Sequence, residues 1–519
     1  MSPHLLRRTP LLVPLLLTAL AGCTDTDTTA PRFAPKPQLA QGAGGVWTVN
    51  SLADPGGGGC DDTECTLREA IGSAGPGHQV VVASGLQGTI TLTAGEIVIN
   101  RNVSVDGGGR IAVNAQETTR IFHVVGSDIA TPIVVTVAGL SLEHGREGLG
   151  DGGGVLVEVA NLTLRDVHLR WNEANRGGGM FAAATAAVTI NSSSFESSYG
   201  STGGALYNLG AVTLVGSSVI LSATQFKSGQ IANHGTLSVI ASMIGAAFEP
   251  GIVNHPGATA TIMRTTLSGN SVVAEDPGLG AAIHNLGTVV MRSSTISANA
   301  SPTGVGGLYN AGSMTVSNSI VAGNNGNPEC GGPSPVMSLG YNLTSAGGGC
   351  AFSAVGDQQV PLPVIFTNVL VGGLEDNGGL TKTLALTPGG LAVDRGSCPG
   401  ETMDQRGAPR PVDNPSVSNA ADGCDIGAFE LQLTSAEQVT ALTVSVSSLG
   451  LASGTASSLR AKLTAALSAI EAGDIAGACT SLTGFTNEVR ALVGKKMSAT
   501  DASALTAKAD ALKSSLGCP

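Results

Sequence analysis

Two groups of side chains in this sequence combine the types and spacing that chemistry requires. Arg165, Asp166, His168, Arg170 and Glu173 form the densest charged segment of a chain with only 12% charged residues. Polysaccharide cleavage uses such groups: glycoside hydrolysis needs a carboxyl group on each side of the scissile bond, and carboxylates also hold Ca²⁺. The second group is His234, His255, His284 and Tyr309, in a chain with 3% aromatic residues. Imidazoles ligate metal ions, and aromatic rings offer a flat apolar face to a sugar. Whether either group assembles depends on which residues the backbone brings together.

That backbone is a repeat. Sliding Gly-Gly-Ala-Leu-Tyr-Asn (203–208) along the chain puts its last position on Glu158, Ala183, Asn208, Asn233, Asn254, Asn285 and Asn310, a period close to 25 residues. A second strand begins four residues later, at Val212, Leu237, Val289 and Met314, and a further Asn slot follows at Asn172, Asn270, Asn299 and Asn324. If each repeat is one turn of a coil, like residues stack about 4.8 Å apart. Leu162, Val188, Val212 and Leu237 then build a continuous interior. Asn208, Asn233, Asn254, Asn285 and Asn310 form a structural ladder in which each amide satisfies the next. Glycines ahead of the first strand permit positive-φ turns. The expected fold class is mainly β, a right-handed parallel β-helix; leucine-rich repeats lack their Leu frame here and propeller blades need longer periods.

The register decides what the two groups do. With Leu162 on Val188, the charged segment lies over Asn191, Ser192, Ser194, Glu196 and Tyr199. No carboxylates pair, and Arg170 over Glu196 reads as a solvated salt bridge. His234 and His255 follow the ladder Asn while His284 and Tyr309 precede theirs, so both flanks face outward if the Asn faces in. These four residues are a candidate binding patch for a metal ion or a sugar ring, set against the plainer reading of ordinary weakly polar surface side chains. No catalytic residue, resident metal or cofactor is expected.

Composition bounds the rest. Glycine supplies 73 of 519 residues, about twice its usual ~7%, without collagen's three-residue period. A hydrophobic share of 42% excludes disorder, and a net charge of −12 excludes the clustered cations of a nucleic-acid partner. Beyond Leu433 the pattern turns helical: Leu459, Leu463, Ala466, Leu467 and Ile470 recur at helical spacing, Gly473-Asp474 marks a stop and a start, and Leu482, Phe485, Val489 and Leu492 follow. A small all-α bundle is expected there. Setting Cys23 aside, the cysteines fall in local pairs: Cys60 with Cys65, Cys330 with Cys350, Cys398 with Cys424, Cys479 with Cys518. In an exported chain such a set reads as disulfides; connectivity stays open, with nearest-neighbour pairing the simplest scheme.

Several segments resemble known families. After a basic start and a short apolar run, Leu20-Ala21-Gly22-Cys23 resembles the bacterial lipobox. It implies cleavage before Cys23, acylation of that residue, and a membrane partner reached through the lipid, at the outer membrane or cell surface. Cys65-Thr66-Leu67-Arg68-Glu69-Ala70 resembles the CSLREA segment of secreted β-helix proteins. Asp376-Asn377-Gly378-Gly379, Asp404-Gln405-Arg406-Gly407, Arg410-Pro411 and Asp425-Ile426-Gly427-Ala428-Phe429-Glu430 together resemble the choice-of-anchor Q domain. The tail from about Gly450 to Leu516, with Gly494-Lys495-Lys496-Met497-Ser498, resembles the FIMAH domain. These resemblances imply a surface-anchored β-helix without catalytic residues to carry over, and Arg68 with Glu69 and Arg406 with Asp425 or Glu430 are expected as paired charges capping the solenoid ends.

The resulting division is a signal peptide over 1–22, a flexible tether over 23–45, the β-helix with its two caps over 46–431, and the helical domain over 435–519. Two functions from different classes fit: a non-catalytic rod that binds an extracellular polysaccharide or a surface protein, or a β-helix polysaccharide lyase or glycoside hydrolase. Low charge, scattered acids and few aromatic residues favour the first.

Overall fold

The computed structural model describes residues 45–519, apart from Asp62, Lys227, residues 273–277, Asn327 and residues 415–416. The expected signal peptide, the expected anchor residue Cys23 and nearly all of the expected tether lie outside the described residues.

The chain coils into a parallel β-solenoid whose strands stack into three walls. First strands of successive coils, such as Leu206–Asn208, Ile231–Asn233 and Ile252–Asn254, form a 10-stranded ladder sheet. After a tight turn come the strands of a broad 22-stranded sheet, each coil contributing a longer piece such as Ala211–Val215 and, past a bend, a shorter one such as Ser218–Ile220. A 4-stranded short sheet closes the early coils through Arg146–Asp151, Glu173–Arg176, Tyr199–Thr202 and Ala223–Thr224. Leu162, Val188, Val212, Leu237, Ala260, Val289 and Met314 pair in the expected register and are buried.

The Asn ladder forms inside the turn between the first two walls. Each Nδ2 donates to the next Oδ1: Asn208 to Asn233 at 2.7 Å, Asn233 to Asn254 at 2.7 Å, Asn254 to Asn285 at 2.8 Å and Asn285 to Asn310 at 2.8 Å. All five are fully buried. The earlier slots slip by one residue: Ala182, not Ala183, pairs with Asn208, and Val157 stands in the coil before. The second slot is also a ladder, Asn270 to Asn299 at 2.8 Å and Asn299 to Asn324 at 2.9 Å. Asn172 instead accepts from the Gly145 N–H.

A third ladder has no counterpart in the sequence reading. At the bend within the broad sheet, ladder pairing lapses around a residue with φ near +50°: Ser192, Gly216, Ala241, Arg264, Ser293 and Asn318. Most are not glycine, although left-handed backbone costs an L-residue roughly 1 to 3 kcal/mol. The next residue in each coil carries a buried hydroxyl, Ser193, Ser217, Ser242, Thr265, Ser294 and Ser319. The backbone N–H of each donates to the oxygen of the one below, from Ser193 onto Ser217 at 3.1 Å to Ser294 onto Ser319 at 3.1 Å. Donors freed by the bend are thereby satisfied.

At the amino-terminal end, helix α1 (Leu67–Ser73) covers the first coil with Leu67, Ala70 and Ile71, and Thr66 and Glu69 form its capping box. Arg68 therefore does not pair with Glu69. Its guanidinium grips Asp54 at 2.6 and 3.0 Å and the carbonyls of Gly95 and Glu96, because the capping box already occupies the Glu69 carboxylate. At the other end, past the last coil, α2 (Leu362–Asn368) buries Ile365 in a cluster with Ile320, Leu343 and Val369.

The described residues of 376–431 do not sit on that end. They run back along the broad sheet, where Thr381 reaches the Ala241 carbonyl, Gln405 bonds Thr266 at 2.6 Å, Glu401 bonds Ser293 at 2.9 Å and the Ala428 N–H meets Thr295. Arg406 pairs with Asp404 at 2.7 Å and lies over the Phe429 ring, reaching Glu430 only at its carbonyl. Arg410 takes the Glu430 carboxylate at 3.1 Å. The expected Arg406 pairing with Asp425 or Glu430 is thus replaced by two pairs inside a side strap.

Four helices end the chain: α3 (Ser435–Ser448), α4 (Ser453–Glu471), α5 (Ile475–Leu492) and α6 (Ala499–Ser515). Leu459, Leu463, Ala466, Leu482, Phe485 and Val489 fill their shared core. Gly473 takes φ +73°, and Asp474 caps α5 by accepting from the Gly477 N–H. Disulfides join Cys60 to Cys65, Cys330 to Cys350, Cys398 to Cys424 and Cys479 to Cys518.

Candidate functional site

The imidazole and phenol group lies on the ladder sheet, flanking the Asn ladder. His234 and His255 stack with ring centroids 3.7 Å apart, and His284 and Tyr309 stack at 4.4 Å. Tyr207 extends the first pair at 4.8 Å, and Phe181 follows at 5.4 Å. The Arg176 guanidinium spreads over Phe181 and Tyr207 at 4.8 and 5.3 Å, held by Asp151 at 2.7 and 2.6 Å. The one-residue slip at Ala183 hid this extension: setting Ala183 against Asn208 puts Ala182 beside Tyr207, whereas Phe181 stands there.

These rings bury one another more than they face solvent. Phe181 and Tyr207 are buried, and His284 is only 8% exposed, its Nδ1 accepting from the Gly280 N–H at 3.3 Å. Burial holds His255 and His284 down at about 4, and burial followed by the Arg176 charge lowers His234, so all three are neutral at pH 7. Among the described residues the ligand atoms of three His, Cys, Asp or Glu side chains gather only at Cys398, Asp422 and Cys424, whose sulfurs are bonded to each other. Each stacked pair also packs adjacent coils together, worth about 0.5 to 1.5 kcal/mol per ring pair.

The charged segment behaves as a row of surface pairs. Arg170 meets Glu196 at 3.2 Å, and His168 bonds Ser194 at 2.8 Å. A denser network lies one coil earlier, where His123 bridges Glu96 at 3.4 Å and Glu158 at 2.8 Å, and Arg120 pairs with Glu96 and, at 3.7 Å, with Glu147. Hydrogen bonding to His123, helped by Arg120, lowers the Glu96 carboxyl despite its partial burial, and Glu96 raises His123 in return. A general acid for glycoside cleavage must instead be held protonated. Carboxyls pushed upward occur elsewhere: burial and the Asp425 charge lift Asp394 to about 7, and burial lifts Glu329, Asp425 and Glu430. All four are buried.

The open feature is a ribbon along the short sheet. Trp171, Tyr199, Leu221, Phe226 and Phe248 are between 42% and 73% exposed and come from four neighbouring coils, Leu221 and Phe226 sharing one. Trp171 is one of two tryptophans and Tyr199 one of four tyrosines. Trp171 and Leu221 occupy the positive-φ corner that ends the broad sheet, which turns their side chains out. His144 stacks on Trp171 at 5.2 Å, and Tyr199 pairs in the short sheet between Glu173 and Ala223. Paired charges edge the ribbon: Arg146 with Glu173 at 3.4 Å, and Arg170 with Glu196. Sequence reading placed Tyr199 below the charged segment but had no reason to single out Trp171, since its corner position is set by backbone conformation. Comparison with protein-family models and with curated proteins gives no match to this chain.

Proposed function

We propose that the chain is an exported, lipid-anchored rod that binds an extracellular polymer or surface protein through the Trp171–Phe226 ribbon and does not cleave it. The observation that carries this reading is the exposure of those large side chains on neighbouring coils, in a chain so poor in aromatic residues. Four disulfides fit an oxidising compartment, and among the described residues no helix is long and apolar enough to cross a membrane. Attachment then falls to the lipobox cysteine, Cys23. The carboxylates nearest the ribbon are ion-paired, which suits orientation of a ligand better than proton transfer to a leaving group.

The test incubates the mature protein with a panel of bacterial and plant polysaccharides and with intact cells, measuring association by co-sedimentation and cleavage by new reducing ends and unsaturated-uronate absorbance. Association without products is expected. Product release from any polymer at catalytic amounts of protein overturns the reading, as does failure to associate with any polymer or cell.

A further inference from the structure

Independently of the ribbon, we propose that the outer face of the broad sheet's longer strands binds ice. Ala187–Asn191, Ala211–Val215, Thr236–Ile240, Thr259–Met263, Thr288–Arg292 and Ser313–Ser317 are each five residues long, with the second and fourth side chains buried and the first, third and fifth turned outward. Strand pairing aligns the outward positions from coil to coil. The third residues form one column from Thr189 through Thr213, Ser238, Thr261 and Val290 to Thr315. The first residues form a second, from Ala211 through Thr236, Thr259 and Thr288 to Ser313. Hydroxyl groups thus repeat about 4.8 Å apart along the axis and about 6.6 Å apart along a strand.

Three features keep this array regular. Coil length varies, from 21 residues between Asn233 and Asn254 to 31 between Asn254 and Asn285, yet each of these strands keeps five residues, so the insertions fall on other faces. Side-chain ladders oppose sheet twist, and this face has one at each edge: the Asn ladder ahead of the strands and the hydroxyl ladder behind them. Threonine is stiff at χ1, so its methyl and hydroxyl groups are in place before anything binds and little entropy is lost.

Chemistry selects the occupant. Arg292 is the one charged residue of these strands, and it lies 4.0 Å from Glu401 of the strap. An ionic ligand therefore finds no counter-charge in the two columns, and a sugar finds no aromatic ring to stack on. A second copy of the chain, or another protein, takes about 800 Å² from each side in a standard interface. The strip is about 24 Å long and about 7 Å wide between its columns, and Ser and Thr are poor interface anchors. An uncharged surface that is itself periodic and hydrogen-bonds at every site is left. Ice is such a surface: on its prism faces rows of oxygen atoms repeat at nearly the two spacings above. Waters lodged between the columns would bond to Thr hydroxyls on one side and to the crystal on the other. The strap leaves the face free, because its contacts fall on the shorter strands and the corner, at Thr266, Ser293 and Thr295, while Thr236, Thr259, Thr288 and Ser313 are exposed.

The experiment anneals thin frozen sucrose films containing the mature protein and follows the coarsening of ice grains, with slow growth of an ice ball to show whether the protein enters the ice or is left in the liquid. Wild type is expected to hold the grains small and to concentrate in the ice. Thr213→Lys and Thr261→Lys each set a long hydrated cation in the middle column and should raise the protein concentration required by about tenfold or more. Leu221→Lys, on the ribbon, should leave it unchanged. All three side chains point outward, so circular dichroism and melting should match wild type and exclude misfolding as the cause. Grains that coarsen as fast with wild type as with an equal concentration of serum albumin overturn the proposal. Inhibition that survives both threonine substitutions overturns the face as its site. A wild-type dimer in light scattering that the same two substitutions dissociate overturns it as well, since a second copy then covers the face.

Discussion

Replacing Asn285 by Leu tests the solenoid at its most constrained point. The Asn285 Nδ2 donates to Asn310 Oδ1 at 2.8 Å and to the Ser313 carbonyl at 2.9 Å, and its Oδ1 accepts from Asn254 Nδ2 at 2.8 Å and from the Gly287 N–H at 3.0 Å. Leucine removes all of these. Asn254 keeps the Thr288 carbonyl and Asn310 keeps the Gly312 N–H, so each is only partly orphaned, at about 1 kcal/mol apiece. The Gly287 N–H loses its partner, but Gly287 is half-buried and water offsets part of the penalty. The sum is about 2 to 4 kcal/mol. Arg292→Ala in the same coil removes a side chain 39% exposed and 4.0 Å from Glu401, which should cost under about 1 kcal/mol. Urea unfolding of the mature chain measures both, and hydrogen exchange should locate the Asn285→Leu damage in Ile252–Asn254, Ile283–Asn285 and Leu308–Asn310 before the distant coils open. Equal costs for the two substitutions, or loosening spread evenly along the chain, would refute the inward ladder.

Cys23→Ser should move the protein from the membrane to the soluble fraction without changing its melting, and mass spectrometry of wild type should find an acylated amino-terminal peptide; a plain peptide there ends the anchor proposal. Burial depresses His255 and His284 to about 4, so the unfolded chain binds more protons below its histidine value near 6.5; stability from these residues is complete above that pH and drains away as pH falls from 6.5 towards 4, at most about 3 kcal/mol each. The urea midpoint should therefore drop between pH 7 and pH 4.5 by less in a His255→Phe, His284→Phe double variant than in wild type. Replacing Cys398 and Cys424 with Ser opens a loop of sequence separation 26 and should cost about 3 to 4 kcal/mol, seen first as proteolysis within the strap.

The solenoid was legible because one physical cause, like stacking on like at the strand spacing, writes itself into the sequence as a period. The Asn slots and the apolar column from Leu162 to Met314 carry that period, and pairing follows them. The slip at Ala183 shows the limit. Ala182 and Ala183 are interchangeable by type, so nothing in a run of alanines fixes which one meets Asn208, and the error moved Phe181 out of the column that contains Tyr207 and His284. The serine and threonine ladder was present as one hydroxyl per coil, at Ser193, Ser217, Ser242, Thr265, Ser294 and Ser319. It went unread because its purpose depends on a backbone corner that sequence does not announce: Ser192, Ala241 and Arg264 are poor candidates for positive φ.

The strap covers the broad sheet's shorter strands in the later coils and leaves those of the earlier coils open. A solenoid exposes the outer side of every strand, and from Met243 onward the outer side of the broad sheet's shorter strands is fully buried, at Thr266, Thr295 and Ile320 among others. The motifs between 376 and 430 supply that cover: Gln405 takes the Thr266 hydroxyl, Ala428 takes Thr295, and the backbone at Asp425 takes Asn318. A terminal cap would have left these hydroxyls to water and would not need contacts spanning well over a hundred residues of sequence. Covering one wall of the later coils leaves the earlier ones open, where the shorter strands stay half-exposed, Trp171 stands at the corner and Tyr199 lies on the short sheet. Two constraints of different origin, the corner that turns Trp171 outward and the strap that ends before its coil, thus place the aromatic side chains on the uncovered surface.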